Sequence, residues 1–300
     1  MKKYKILIVS DHETTGVKDD LYIARSFKND GHLVRVFKNS YQASFDEKFD
    51  VIIRRYDWPE NILVSGYYGN KNENLKARIY RRRKVVGINL FGFQETDYSF
   101  FETFTREKIP NVIPSVVRQG AVPHILRLYD TDRFIIREKY QYLAKQNKAL
   151  HVMINQIPKY FEKDVHMIQP DLKYKSEVQF HFVGNKLLYA FEYTPNKYSS
   201  LAKEKLLDIS PEDREVAERF AKISNMKYGM QRIDFIRLTN GELMLSEIRD
   251  TNVDMRLEKL DPHLREKVIN EFKKNIYEFL ELDLEEQQRF VYYDRYYYPA

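Results

Sequence analysis

RIDFIRLTNGELMLSEIRDTN, residues 232–252, reads as two strands joined at Asn240-Gly241, the dipeptide most typical of a two-residue type I′ hairpin turn. Counting back from such a turn sets Thr239 against Glu242 and Asp234 directly against Glu247. Side chains alternate along a strand, so Arg232 and Arg249 share that face. Directly opposed Cβ atoms lie about 4.5–5.5 Å apart, and like charges placed there repel. Two facing carboxylates therefore call for a cation. One candidate is Mg²⁺, a hard ion that takes carboxylate and phosphate oxygens together. The other is the arginine pair beside them, which would make a neutral, structural quartet. The residues alone leave both open.

Working outward, 300 residues suggest about two domains and ample core. The net charge of +6 suits an anionic ligand, but it is spread along the chain, so a nucleic-acid surface is not expected. With no cysteine there is no thiol nucleophile, disulfide framework or thiolate metal site, which fits a reducing, cytoplasmic setting. MKKYKILIVSD has too short an apolar run for a signal peptide. No run reaches membrane-spanning length either.

The first third alternates strand and helix. YKILIV (4–9) suits a buried parallel strand. A helical pattern from Val17 to Asn29 closes at Gly31, and HLVRVF and FDVIIRR supply two more strands. That order implies a right-handed, doubly wound parallel unit, with ligands beyond the carboxyl ends of the strands. Asp11, His12, Thr14, Thr15, Arg54 and Arg55 are candidates there. A helix from about Asn70 ends in RRRK (81–84), whose cations answer the helix dipole. Strand KVVGIN and a helix near 97–107 follow. KIPNVIPSV (108–116) then breaks the chain at Pro110 and Pro114, marking a boundary.

Downstream, EVQFHFV (177–183), Gly184-Asn185 and KLLYAFEY (186–193) form a second hairpin of type II′. Its unbroken count sets Glu192 opposite Glu177, a second possible carboxylate pair. Ser210-Pro211-Glu212-Asp213 opens a helix to about Ser224, with Val216, Phe220 and Ile223 on one face. Asp261-Pro262 opens a long surface helix with Val268, Phe272, Ile276 and Leu280 apolar. The aromatic tail RFVYYDRYYYPA suits packing on the chain itself or on a second subunit of a homo-oligomer.

Arg-x-Asp-Phe, a hairpin, and Glu-Ile thirteen residues after the Asp resemble the metal-binding end of the ATP-grasp ligases, D-alanine–D-alanine ligase and the ribosomal-protein-modifying glutamate ligases in particular. The resemblance implies an α/β fold: an N-terminal doubly wound domain (1–110), a small ATP-grasp lobe (111–170) and a large lobe (171–300) that clasp a nucleotide. It implies ATP and Mg²⁺, with Asp234 and Glu247 as metal ligands and Arg232 steadying the phosphoryl group or reaction oxyanion. Where the family has Asn two residues after the Glu, this chain has Arg249, which would contact phosphate. RFIIREKY (133–140) resembles the strand that brings a cation to the phosphates, here Arg137 or Lys139. The glycine-rich phosphate loop that follows in the family is replaced by QYLAKQNKAL (141–150), without glycine, where Lys145 and Lys148 could serve instead. VHMIQPDL (165–172) is similar to the adenine-flanking linker, with backbone groups of Gln169, Pro170, Asp171 and Leu172 on the base edge. Glu177 falls near the ribose-binding acid.

These roles imply an ATP-dependent carboxylate–amine, or carboxylate–thiol, ligase working through an acyl phosphate on small-molecule or peptide substrates. A kinase on the same scaffold, and a nucleotide-binding protein without turnover, are the alternatives. Arg249 and the glycine-free loop speak for the last.

Overall fold

The computed structural model describes residues 2–10, 16–37, 49–55, 85–86, 100–116, 119–129, 131–138, 149–162, 165–195, 203–249, 253–283 and 286–287. Asp11, His12, Thr14, Thr15, Lys139, Lys145, Lys148, the expected helix ending at 81–84, the tail 289–300 and the side chain of Arg54 lie outside them.

The first sheet is parallel, in the order β2-β1-β3-β4, built from β1 (Lys5–Val9), β2 (Leu33–Phe37), β3 (Val51–Arg54) and β4 (Val85–Val86), with α1 (Gly16–Asn29) crossing from β1 to β2. Ile6, Leu7 and Ile8 are wholly buried, which is why the central strand is an unbroken apolar run rather than an alternating one. After α1 the chain turns at Gly31, whose N–H bonds the Lys28 carbonyl at 2.9 Å.

Two antiparallel sheets follow. The smaller one has the order β6-β5-β7, from β5 (Arg133–Glu138), β6 (Leu150–Met153) and β7 (His166–Pro170). The larger runs β10-β9-β8-β11-β12, from β8 (Tyr174–Val183), β9 (Lys186–Thr194), β10 (Lys203–Leu206), β11 (Met230–Leu238) and β12 (Leu243–Arg249). The segment after α2 (Phe100–Arg106) joins them: Val112 bridges Leu245 of β12, and Val116 bridges Ile168 of β7. The boundary inferred from Pro110 and Pro114 is thus a strap shared by two sheets.

One face of the large sheet is covered by α5 (Pro211–Ser224), numbering after the short α3 (Val122–Tyr129) and α4 (Ile157–Tyr160). The Ser210 hydroxyl caps it by accepting the Asp213 N–H at 3.1 Å. Ala217, Phe220 and Ala221 pack there on Val178, Phe180, Ile233 and Phe235, with Phe180 and Phe235 edge to face at 5.5 Å. The opposite face packs Tyr189 and Phe191 of β9 into a second core cluster, and beside them its alternate side chains form the candidate site.

The long helix α6 (Pro262–Glu281) does more than cap a surface. Val268, Phe272 and Ile276 are wholly buried as their spacing predicts, joined by Phe279, whereas Leu280 is only partly buried. They share one cluster with Ile6, Phe27 and Val51 of the parallel unit and Tyr189 and Phe191 of the large sheet. Among the described residues no helix is long and apolar enough to cross a membrane.

A polar latch reinforces that joint. Asp19 of α1 is wholly buried and accepts three consecutive backbone N–H groups, from Met255 (2.7 Å), Arg256 (3.1 Å) and Leu257 (2.9 Å). Arg55 supports it: its Nε donates to Asp20 at 2.7 Å and its Nη2 lies 3.9 Å from Asp19, while Ser10 also donates to Asp20. Arg55 is therefore buried in an ion cluster, not presented to a substrate as the sequence suggested. The residue leaves β3 into the interior because two aspartates of α1 wait there.

Burial pushes the Asp19 carboxyl up to about 7, against the pull of Arg55 and the three N–H groups. A raised folded pKa means that its stabilising share is complete below the unfolded value, near 4, and is lost as pH rises through about 7. The stability difference between the unmutated chain and Asp19→Asn should accordingly narrow between pH 5 and pH 8, by an amount on the order of a few kcal/mol. Urea unfolding at both pH values measures it; an unchanged difference would exclude linkage to Asp19.

Candidate functional site

The β11–β12 hairpin meets its expected pairing by an unexpected route. The Leu238 N–H bonds the Glu242 carbonyl at 2.8 Å, and the Gly241 N–H bonds the Leu238 carbonyl at 3.0 Å. The loop is thus the three residues Thr239-Asn240-Gly241, not a two-residue type I′ turn. Gly241 alone takes positive φ, at +93°, while the Asn240 side-chain oxygen accepts the Glu242 N–H at 3.0 Å and needs no left-handed backbone. Pairing near the turn is consequently one residue off the count, with Phe235 against Leu245. A bulge at Ser246 then takes up that residue and restores Asp234 opposite Glu247 and Arg232 opposite Arg249. The outer edge of β12 is held meanwhile by Asn111, whose carbonyl accepts the Leu245 N–H at 2.7 Å.

The four side chains form one cluster. Arg232 grips Asp234 with both prongs of its guanidinium, Nε to Oδ1 at 2.8 Å and Nη2 to Oδ2 at 2.9 Å. Arg249 Nη2 lies 2.6 Å from Glu247 Oε2, and its Nε lies 3.9 Å from Asp234. Arg232 and Asp234 side chains are only 8% and 12% exposed, Arg249 35%. Burial pushes the Glu247 carboxyl up and the facing Asp234 adds to it, while Arg249 pulls it down. The arginine pairing that the sequence left as one of two options is therefore present.

Does the cluster also fit a divalent ion? Each carboxylate oxygen keeps a lone pair beyond its hydrogen bond, so ion pairing and coordination are compatible. Directly beside Asp234 on β8 lies Gln179, whose Oε1 is buried without a hydrogen-bond partner. An orphaned acceptor of this kind costs about 1–3 kcal/mol. Among the described residues no group of three or more His, Cys, Asp or Glu could hold a metal, so two carboxylates and an amide oxygen are the hard donors available here.

Other expected residues divide. Glu177 lies on the same face, opposite Ile236 of β11, and accepts the Tyr174 hydroxyl at 3.0 Å. Leu172 packs against Ile236 and Met244, bringing the 169–172 linker onto that face. Of this linker's backbone groups, however, the Asp171 N–H is not available to a base edge: it bonds the Arg133 carbonyl at 3.0 Å, and its carboxylate holds His151 at 3.0 Å and Arg133 at 3.3 Å. Pro170 lies in the ladder opposite Phe134 and has no N–H to offer. The buried Gln169 amide donates to Ser115 at 2.7 Å. Arg137 is opposite Met167 on the strand face that Ile135 and Gln169 share.

The second carboxylate pair does not form. Gly184 makes the expected turn, with φ +54° and Val183 against Lys186; an added Cβ would meet the Lys227 carbonyl oxygen at 2.5 Å. A bulge at Leu188 then shifts the register, so Glu177 faces Tyr193 and Glu192 faces Val178. Glu192 thereby turns to the opposite face, where it binds Ser176 (2.6 Å) and Lys205 (2.8 Å).

Sequence reasoning passed over Gln179 and His181, although Glu177-x-Gln179-x-His181 put polar residues at every second place of an apolar strand. His181 sits opposite Arg232, stacked on Tyr189 at 4.5 Å between ring centroids. It is wholly buried, and neither ring nitrogen has a hydrogen-bond partner. Burial, reinforced by the charges of Arg232 and Arg256, drives its pKa well down, so the ring is neutral. Arg256 itself stacks on Tyr193 at 5.0 Å and pairs with Glu204 at 2.8 Å.

These burials rank the two arginines. Arg232→Met leaves a buried carboxylate uncompensated and should lower ligand-free stability by about 3–5 kcal/mol. Arg249→Met, at a partly solvated pair, should cost about 1 kcal/mol or less. Denaturant unfolding of both variants checks the order, and equal losses would refute it.

No family model matches the sequence, and no curated protein does; solved structures match over nearly its whole length. D-cycloserine synthetase DcsG is 13% identical with a TM-score of 0.62, covering 92% of this chain and 100% of its own. The ATP-grasp ligase PsnB, complexed with minimal precursor, Mg and ADP, is 11% identical at 0.62, covering 92% and 99%. N5-carboxyaminoimidazole synthetase from Staphylococcus aureus is 14% identical at 0.57, covering 84% and 71%. At these identities the likeness is one of fold, and the chain has the ATP-grasp fold.

Proposed function

From that fold, we propose that the chain is an ATP-dependent carboxylate–amine (or thiol) ligase acting through an acyl phosphate. The observation that carries the reading is the Arg232–Asp234–Glu247 cluster on the face of the large sheet opposite α5, in a fold that solved ligases share over most of their length. ATP would phosphorylate the acid substrate; the amine would then displace phosphate, leaving ADP and a new C–N bond. Bound Mg²⁺ would neutralise phosphate charge, with Asp234 and Glu247 as its holders.

The side chains divide the remaining work. Arg232, oriented by its fork on Asp234, stabilises charge that develops on the phosphoryl group or oxyanion. Arg249 can swing from Glu247 to a phosphate oxygen, and Arg137 adds a cation from the small sheet. Leu172 offers an apolar surface to a base, and Glu177 an acceptor for ribose hydroxyls. No side-chain nucleophile is needed, in keeping with the missing cysteine. PsnB was solved with a precursor peptide and DcsG is a D-cycloserine synthetase, so peptide and small-molecule acids are both within the reading. A nucleotide-binding protein without turnover has one observation in its favour: both carboxylates are already paired by arginines.

Mg·ATP should raise the melting temperature more than Mg·GTP, and a panel of acids with amines should release free phosphate together with ADP. ADP without free phosphate would indicate a kinase. Nucleotide binding without ADP would indicate the inert alternative, and equal or no binding of both nucleotides would defeat the proposal.

A further inference from the structure

Gln179, Asp234 and Glu247 lie in one row across three adjacent strands, since Gln179 is opposite Asp234 and Asp234 opposite Glu247. All three side chains leave the face that α5 does not cover. The shortest is in the middle, and each flanking residue carries one more methylene, which lets their oxygens lean in over it. Neighbouring strands are about 4.8 Å apart, so such leaning is within reach. Gln179 Oε1 is buried and has no hydrogen-bond partner, although an amide oxygen is a strong acceptor.

Position 249 sharpens the point. A guanidinium is a donor only and cannot coordinate a cation, so Arg249 cannot supply a third oxygen from β12. Hard divalent ions accept amide carbonyls alongside carboxylates. Resting on the ligase reading above, we infer that Gln179 is the third protein ligand of the nucleotide-bound cation, its Oε1 completing a set with Asp234 and Glu247 from the neighbouring strand.

The test uses Mn²⁺, followed by its free-ion electron paramagnetic resonance signal, titrated into the full chain with ADP. Gln179→Met keeps length and volume but removes the hard oxygen; Gln179→Glu keeps an oxygen. Met should weaken Mn²⁺ binding about tenfold or more, Glu should hold it at or above the unmutated level, and ADP affinity in EDTA should be unchanged in the Met variant. Unaltered Mn²⁺ affinity in the folded Met variant would overturn this inference and leave the ligase reading standing. If the Met variant does not fold, the Glu variant decides, a loss of Mn²⁺ counting against. A drop in metal-free ADP affinity of the Met variant would mean that the amide instead donates to phosphate, which also overturns it. Failure of the unmutated chain to take up Mn²⁺ with ADP would overturn the ligase reading itself.

Discussion

Two carboxylates facing each other on a largely buried sheet surface are the constraint around which this molecule is arranged. Water cannot fully screen them, so positive charge must be at hand. Arg232 and Arg249 provide it from the same two strands, as the facing pair in the next row of that face. The arrangement leaves this row of the sheet charged yet neutral in sum, two arginines against two carboxylates. The other face could hardly be more different: Phe180, Phe220 and Phe235 fill it with aromatic contacts. Aromatic packing fixes one face, and the other carries the charged row beside its own apolar contacts.

Much of this was legible in the residues, for identifiable reasons. Runs such as KILIV declare a strand buried on both sides, and Ser210-Pro211 declares a helix start, because each is a local preference. Register was legible only where irregularities cancelled. At Asp234 and Glu247 a longer loop and a bulge at Ser246 offset each other, so the count succeeded for the wrong reason. At Glu192 only the bulge at Leu188 intervened, and the count failed. Bulges depend on what the neighbouring strand and the outer edge require, here on Asn111 reaching β12 from far along the chain. No window of sequence contains that information.

The polar residues divide in the same way. Arg55 looked available at a strand end, but Asp19 and Asp20 take it from another element. Gln179 and His181 looked like ordinary strand residues, yet they line the site, and the polar period of two in EVQFHFV was the signal. Asp19 shows how the parallel unit is tied to the site: the loop it binds, 255–257, follows the β12 strand that carries Glu247. The first unit is therefore tied to the chain beyond β12 by hydrogen bonds from main-chain N–H groups to a buried carboxylate, as well as by apolar contact.

The strap between Pro110 and Val116 has a mechanical meaning. It is bonded at Val112 to one antiparallel sheet and at Val116 to the other, with three residues between. Neither sheet can slide away from its fellow without tearing one of these bridges. Pro114 stiffens that span by fixing its own φ. Both sheets are thus tied by main-chain hydrogen bonds to one short length of chain, which fixes how far apart their bridged strands can lie. Gln169, bonded to Ser115 on the strap, adds a side-chain tie to the same point.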